Sequence, residues 1–161
     1  MITKGQKIPS VTIKQATAEG GADVDPAALF AGKKVVMFSL PGAFTPTCSQ
    51  KHLPGYVEKL PELKAAGVDL VACLSVNDAW VMKAWAEQHD ALGKITMLAD
   101  GSGAFTKALG IELDLTAHAM GPRAARGVIT FDNGAVTSIE MEAPGKFEVS
   151  SADACLIGLK K

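Results

Sequence analysis

No CxxC pair occurs anywhere in this chain, and its three cysteines stand far apart at Cys48, Cys73 and Cys155. An odd number at wide spacing excludes a secreted disulfide framework, and the missing CxxC argues against a disulfide isomerase. His52, His89 and His118 are equally scattered, so no metal-ligand spacing emerges and no metal is expected. A glycine-rich phosphate loop is absent too. Neither sign of charge dominates: 16 Lys and Arg stand against 17 Asp and Glu, for a formal net charge of −1. That balance offers no grip on nucleic acid or on an anionic membrane. No apolar run approaches the roughly 18 residues of a membrane span. The opening MITKGQKIPS lacks the apolar centre of a signal peptide, so a soluble, cytoplasmic protein is expected. No linker, repeat or low-complexity stretch divides the chain, which at 161 residues suits one domain over 1–161.

What is present is a globular composition, 48% hydrophobic and 20% charged, with strand and helix signals that alternate after residue 30. Val11–Ile13 reads as a short strand and 18–22 as a flexible connection. Asp25-Pro26 opens a short helix ending near Gly32. Val35–Leu40 and Val68–Val76 read as buried strands, and Asn77 caps a helix over 78–90. Lys94–Leu98 is a strand, followed by Asp100-Gly101-Ser102-Gly103. That stretch is a fragment of a calcium loop without the later acidic ligands, and reads as a helix-starting turn. Residues 111–125 look irregular. Asn133-Gly134 closes a hairpin between 128–131 and 135–141, and Ser150 or Ser151 caps a final helix. The fold class is α/β.

The most informative stretch is Pro41-Gly42-Ala43-Phe44-Thr45-Pro46-Thr47-Cys48. The strand 35–40 ends in Pro41-Gly42, and Thr45-Pro46 combines a good N-cap with a residue suited to the first helical position. Cys48 then falls in the first turn, where unpaired N–H groups and the helix dipole favour an anion. A fall in a cysteine's pKa from about 8.5 to about 6 raises the thiolate fraction at neutral pH from roughly 3% to roughly 90%. Pro54-Gly55 is expected to kink or break the helix that Cys48 begins.

Pro41, Thr45 and Cys48 reproduce the P-x-x-x-T-x-x-C signature of peroxiredoxins, and the chain resembles that family. PGAFTPTCSQKHLPGY is similar to the type II, peroxiredoxin-5-like branch, and VDLVACLSVNDAWVMKAW and Arg126 with its hairpin extend the match. The resemblance implies a thioredoxin-like fold, a central mixed sheet flanked by helices with an N-terminal extension. It implies a thiol-dependent peroxidase acting on hydrogen peroxide and organic hydroperoxides without a cofactor. Cys48 would be the peroxidatic thiolate that becomes a sulfenic acid. Thr45 would hydrogen-bond the peroxide, Pro41 would wall the site from water, and Arg126 would stabilise thiolate and transition state. Arg126 lies eight residues before Gly134, the spacing of the family's arginine, and Arg123 is its competitor. A homodimer is implied as well, with Phe44 and Trp80 as aromatic candidates; the plainer reading puts both in the protomer's own core.

Each remaining candidate also has a plainer reading. Cys73 lies in a strand pattern and Cys155 in a helix pattern, both favouring core packing. His52 lies one turn after Cys48, so a Cys–His pair is conceivable, although peroxide reduction needs no histidine base. Animal members of the family carry a resolving cysteine just before the last helix, where this chain reads Phe147-Glu148-Val149-Ser150-Ser151-Ala152. That departure points to glutathione, glutaredoxin or thioredoxin as the reductant of Cys48. The rivals to a peroxidase are a peroxide sensor that relays oxidation to a partner and a non-enzymatic thioredoxin-fold module.

Overall fold

Central strands that send alternate side chains to two covered faces build the molecule. The computed structural model describes residues 1–160. In β3 (Lys34–Ser39), Val36 and Phe38 face one side of the sheet, while Val35 and Met37 face the other. Both faces of β3 are therefore covered, which explains its unbroken apolar run. β4 (Leu70–Ser75) and β5 (Thr96–Ala99) lie parallel to it in sequence. β8 (Gly127–Asp132) and β9 (Ala135–Met141) form the antiparallel hairpin that flanks β3. Asn133 and Gly134 take φ of 49° and 78°, the left-handed pair that such a two-residue turn requires.

On the other side, β5 pairs antiparallel with β1 (Ile13–Thr17), which pairs with β2 (Gly20–Val24). The seven-stranded order is β2-β1-β5-β4-β3-β8-β9. The mixed sheet flanked by helices is the expected α/β thioredoxin-like fold. Helices α2 (Leu53–Glu58), α3 (Leu60–Ala65), α4 (Ala79–Gln88) and α6 (Ala152–Leu159) contribute to the core on the Val36 and Phe38 face. Helices α1 (Pro26–Phe30) and α5 (Ala104–Leu109) cover the opposite face.

Four local expectations are corrected. Residues 18–22 are no flexible connection but the turn and first half of β2. Residues 111–125 are not irregular: β6 (Glu112–Leu115) and β7 (Gly121–Ala124) form a second, two-stranded sheet around a short 3₁₀ turn. The cap of α4 is Asp78, whose side chain accepts the Val81 N–H at 2.9 Å, and Asn77 is left for another task. Pro54 does not break its helix: it falls in the first turn of α2, directly after a π-helical segment at Cys48–His52. In that segment the Leu53 N–H reaches back to the Cys48 carbonyl. The wider turn relieves the clash that a proline ring makes with a carbonyl four residues earlier. The break comes at Lys59, ahead of Pro61.

Candidate active site

The chain leaves β3 at Ser39 and crosses the site on residues 41–45. A β-carbon on Gly42 would stand 2.9 Å from Arg123 Nη1 and push that side chain off the loop. Phe44 sits at φ 65°, a left-handed conformation costly for a bulky residue, and something must hold it. Asn77 does part of this: its Oδ1 accepts the Ala43 N–H at 2.9 Å and the Ser75 hydroxyl at 2.6 Å. Thr45 enters the helix through its carbonyl, which accepts the Ser49 N–H, and its hydroxyl donates to the Gly42 carbonyl at 2.7 Å. The threonine side chain therefore does not cap the helix as expected, and its oxygen lone pairs remain available. Cys48 falls in the first turn, and Trp85 Nε1 donates to the neighbouring Ser49 hydroxyl at 2.9 Å, tying α4 to this helix start.

Arg126 immediately precedes β8, whose Gly127 is paired with Ser39 at the end of β3. Strand pairing thus brings together two residues 78 positions apart: Arg126 Nη2 donates to Cys48 Sγ at 2.8 Å. The guanidinium is a permanent cation that presents its donors to the sulfur in a fixed plane. Arg126 Nη1 lies 2.8 Å from His52 Nδ1, and His52 Nε2 lies 3.1 Å from the Ser150 carbonyl. Arginine can only donate and a carbonyl can only accept, so His52 is neutral with its proton on Nε2. The ring is fully buried beside Phe38, Tyr56 and Phe147. Burial, then the Arg126 charge, pushes its pKa down to about 3. Arg126 also lies 5.8 Å from the Phe147 ring centroid.

Of the two arginines, only Arg126 meets the sulfur. Arg123 donates from Nε to the Met120 carbonyl and from Nη1 to the Pro41 carbonyl, bracing the loop. Pro41, Thr47, Leu113, Leu115, Arg126 and Phe147 are among the residues lining a cavity of about 380 Å³, and Arg126 on this lining also bonds the Cys48 sulfur. Cys48 itself has 0% exposure. Cys73 is buried in β4, where burial and then the Cys48 charge push its thiol up despite Arg126. Burial pushes Cys155 up to about 11. All three thiols are free. Phe44 and Trp80 do not join the core: they are 50% and 75% exposed. Among the described residues no group of three or more His, Cys, Asp or Glu is placed to hold a metal ion. No helix there is long and apolar enough to cross a membrane.

A guanidinium-bonded sulfur whose arginine lines a small cavity suits a nucleophile acting on a small electrophile. The redoxin family pattern matches residues 3–156. The chain belongs to the redoxin family. It is 50% identical to peroxiredoxin-2B of Arabidopsis thaliana over 131 residues, 81% of each chain. It is 43% identical to peroxiredoxin-2C of the same plant over 159 residues, 98% of each. Its structure matches reduced Prx3 in complex with hydrogen peroxide from Vibrio vulnificus, with a TM-score of 0.94 and 54% identity over 99% of both chains. This redoxin is accordingly a peroxiredoxin, an oxidoreductase that reduces peroxides by thiol chemistry. The sequence had brought Pro41, Thr45, Cys48 and Arg126 forward, and the structure gathers them at one end of β3. The sequence reading missed the bracing role of Asn77 and the contacts of His52, Ser150 and Glu142. Asn77 and Ser150 stood among the residues read as helix caps, His52 one turn after Cys48, and Glu142 carried no local signal.

Proposed function

We propose that Cys48 is the peroxidatic cysteine of a type II, peroxiredoxin-5-like enzyme comprising one domain. The observation that carries this reading is the 2.8 Å hydrogen bond from Arg126 Nη2 to Cys48 Sγ. The thiolate attacks one oxygen of a hydroperoxide, an S–O bond forms and the O–O bond breaks. The departing oxygen takes a proton and leaves as water or an alcohol, and the two-electron oxidised sulfur is a sulfenic acid. Arg126 carries the growing negative charge, the Thr45 hydroxyl oxygen accepts a hydrogen bond from the peroxide, and Pro41 keeps water from the sulfur. The relatives named peroxiredoxin-2 support the type II assignment.

An external thiol recycles the enzyme. A thiolate from glutathione, glutaredoxin or thioredoxin displaces water from the sulfenic acid, giving a mixed disulfide that a second thiol resolves. The buried Cys73 and Cys155, their thiols pushed up, support this route. Because Cys48 is also buried, the reductant reaches it only after the helix start opens. Three unpaired thiols and a dependence on reductant suit a cytoplasmic setting. Stopped-flow oxidation by hydrogen peroxide, then turnover with each purified reductant, tests the reading. Rapid second-order oxidation with sustained turnover is expected. Slow oxidation without turnover would make the protein a sensor and contradict the proposal.

The exposed Phe44 and Trp80 support a homodimer formed beside the site, since large aromatics commonly anchor interfaces. Sedimentation should show a dimer at micromolar concentration and dissociation when Trp80 is replaced by glutamate. A monomer even at high micromolar concentration would remove this proposal.

A further inference from the structure

Aiming an arginine is costly, because its long side chain loses much of its rotamer freedom when fixed. Here the head group is held by His52, and the His52 ring is in turn held by the Ser150 carbonyl. The same carbonyl accepts the Tyr56 hydroxyl at 2.8 Å. Ser150 does not cap α6; Ser151 does, accepting the Ala154 N–H at 3.1 Å. Ser150 is instead gripped by Glu142. The Glu142 carboxylate accepts the Ser150 hydroxyl at 2.6 Å and the N–H groups of Ser150, Val149 and Glu148 at 2.9–3.0 Å. Its own backbone N–H donates to the Arg126 carbonyl at 2.9 Å. Glu142 therefore touches Arg126 at the backbone and, through Ser150 and His52, reaches the far end of the same side chain. Burial works against the carboxylate's charge, but the bonds from Ser150, Glu148 and Val149 outweigh it and hold its pKa below the usual value. A charged acceptor fixes several N–H groups more firmly than a neutral one.

We propose that Glu142 is a positioning residue for peroxide reduction, fixing the Ser150 carbonyl that orients His52, which aims the Arg126 guanidinium at the Cys48 sulfur. The proposal rests on the reading of Cys48 as the peroxidatic cysteine. The device spans the loop between β9 and α6. It makes that loop part of the reacting geometry with no atom of it touching the sulfur.

The test is a double-mutant cycle read by stopped-flow oxidation of Cys48 with hydrogen peroxide. Glu142→Gln keeps the shape but leaves one acceptor oxygen, and should slow oxidation by about tenfold to a hundredfold, the cost of a misplaced catalytic group. Ser150→Ala removes one donor and should slow it less, in the same direction. Glu140→Gln, the same charge change at an exposed position on β9, should leave the rate unchanged. In an Arg126→Lys background, Glu142→Gln should add little further loss, because the relay ends at Arg126. Wild-type rates in both Glu142→Gln and Ser150→Ala would overturn the proposal. So would an equal loss with and without Arg126, the signature of general loosening. If Glu142→Gln does not fold, Ser150→Ala alone and in the Arg126→Lys background decides by the same criteria. Failure of the Cys48 reading looks different: wild-type protein would not be oxidised rapidly, or Cys48→Ser would still consume peroxide.

Discussion

Cys48→Ser should lower peroxide consumption by about a thousandfold or more, the size of effect seen when a nucleophile is removed. Serine fills nearly the same volume in the fully buried site, so the fold should survive. A hydroxyl beside Arg126 remains protonated at neutral pH and cannot replace a thiolate. Cys73→Ser and Cys155→Ser should retain most of the initial oxidation. Both thiols are pushed up by burial and neither bonds Arg126. Steady-state peroxide consumption with a thiol reductant, alongside circular dichroism, checks all three variants. Retained turnover in Cys48→Ser would sink the assignment.

The second large effect is expected at Arg126. Lysine keeps the charge but places it on one nitrogen, which cannot reproduce the two-pronged grip on Cys48 Sγ and His52 Nδ1. Arg126→Lys should slow Cys48 oxidation by about a hundredfold, the range for losing a preorganised donor at a developing charge. Arg123→Lys should do less, since Arg123 binds the carbonyls of Met120 and Pro41 and leaves the sulfur alone. The reverse order of effects in a pH–rate series would show that the wrong arginine had been chosen.

The parts of the site legible in the sequence were those with a strong local signal. Pro41 through Cys48 follows an unbroken apolar strand and contains its own helix start, so the placement of the cysteine could be read from neighbours alone. Arg126 was preferred to Arg123 through the resemblance alone, because its eight-residue spacing to Gly134 matches that of the family's arginine. The short sheet of β6 and β7 gave no such signal. β6 alternates between exposed and half-buried and β7 buries only Ala124, so no apolar run marks it. The β1–β2 hairpin was hidden similarly, since most of Gly20–Val24 lies in solvent.

Adjacent cap-competent residues caused a different kind of miss. Asn77-Asp78 and Ser150-Ser151 each offer two good caps, and in both pairs the second residue caps the helix. The first is then free to brace the site: Asn77 on the Ala43 N–H, Ser150 between Glu142 and His52. Sequence spacing cannot make that choice, because it depends on what the loop meets across the fold. Trp80 and Trp85 show the same limit. Five residues apart, they lie about 140° apart around a helix, so one can be buried while the other is solvent-facing. Trp85 is buried and Trp80 is exposed.

Mass spectrometry after one equivalent of hydrogen peroxide tests the central claim most directly, by locating the oxidised sulfur. The predicted result is a sulfenic acid on Cys48, converted to a mixed disulfide on the same residue when glutathione is added. A rapid, quantitative Cys48–Cys73 or Cys48–Cys155 disulfide, or oxidation confined to another residue, would contradict the account.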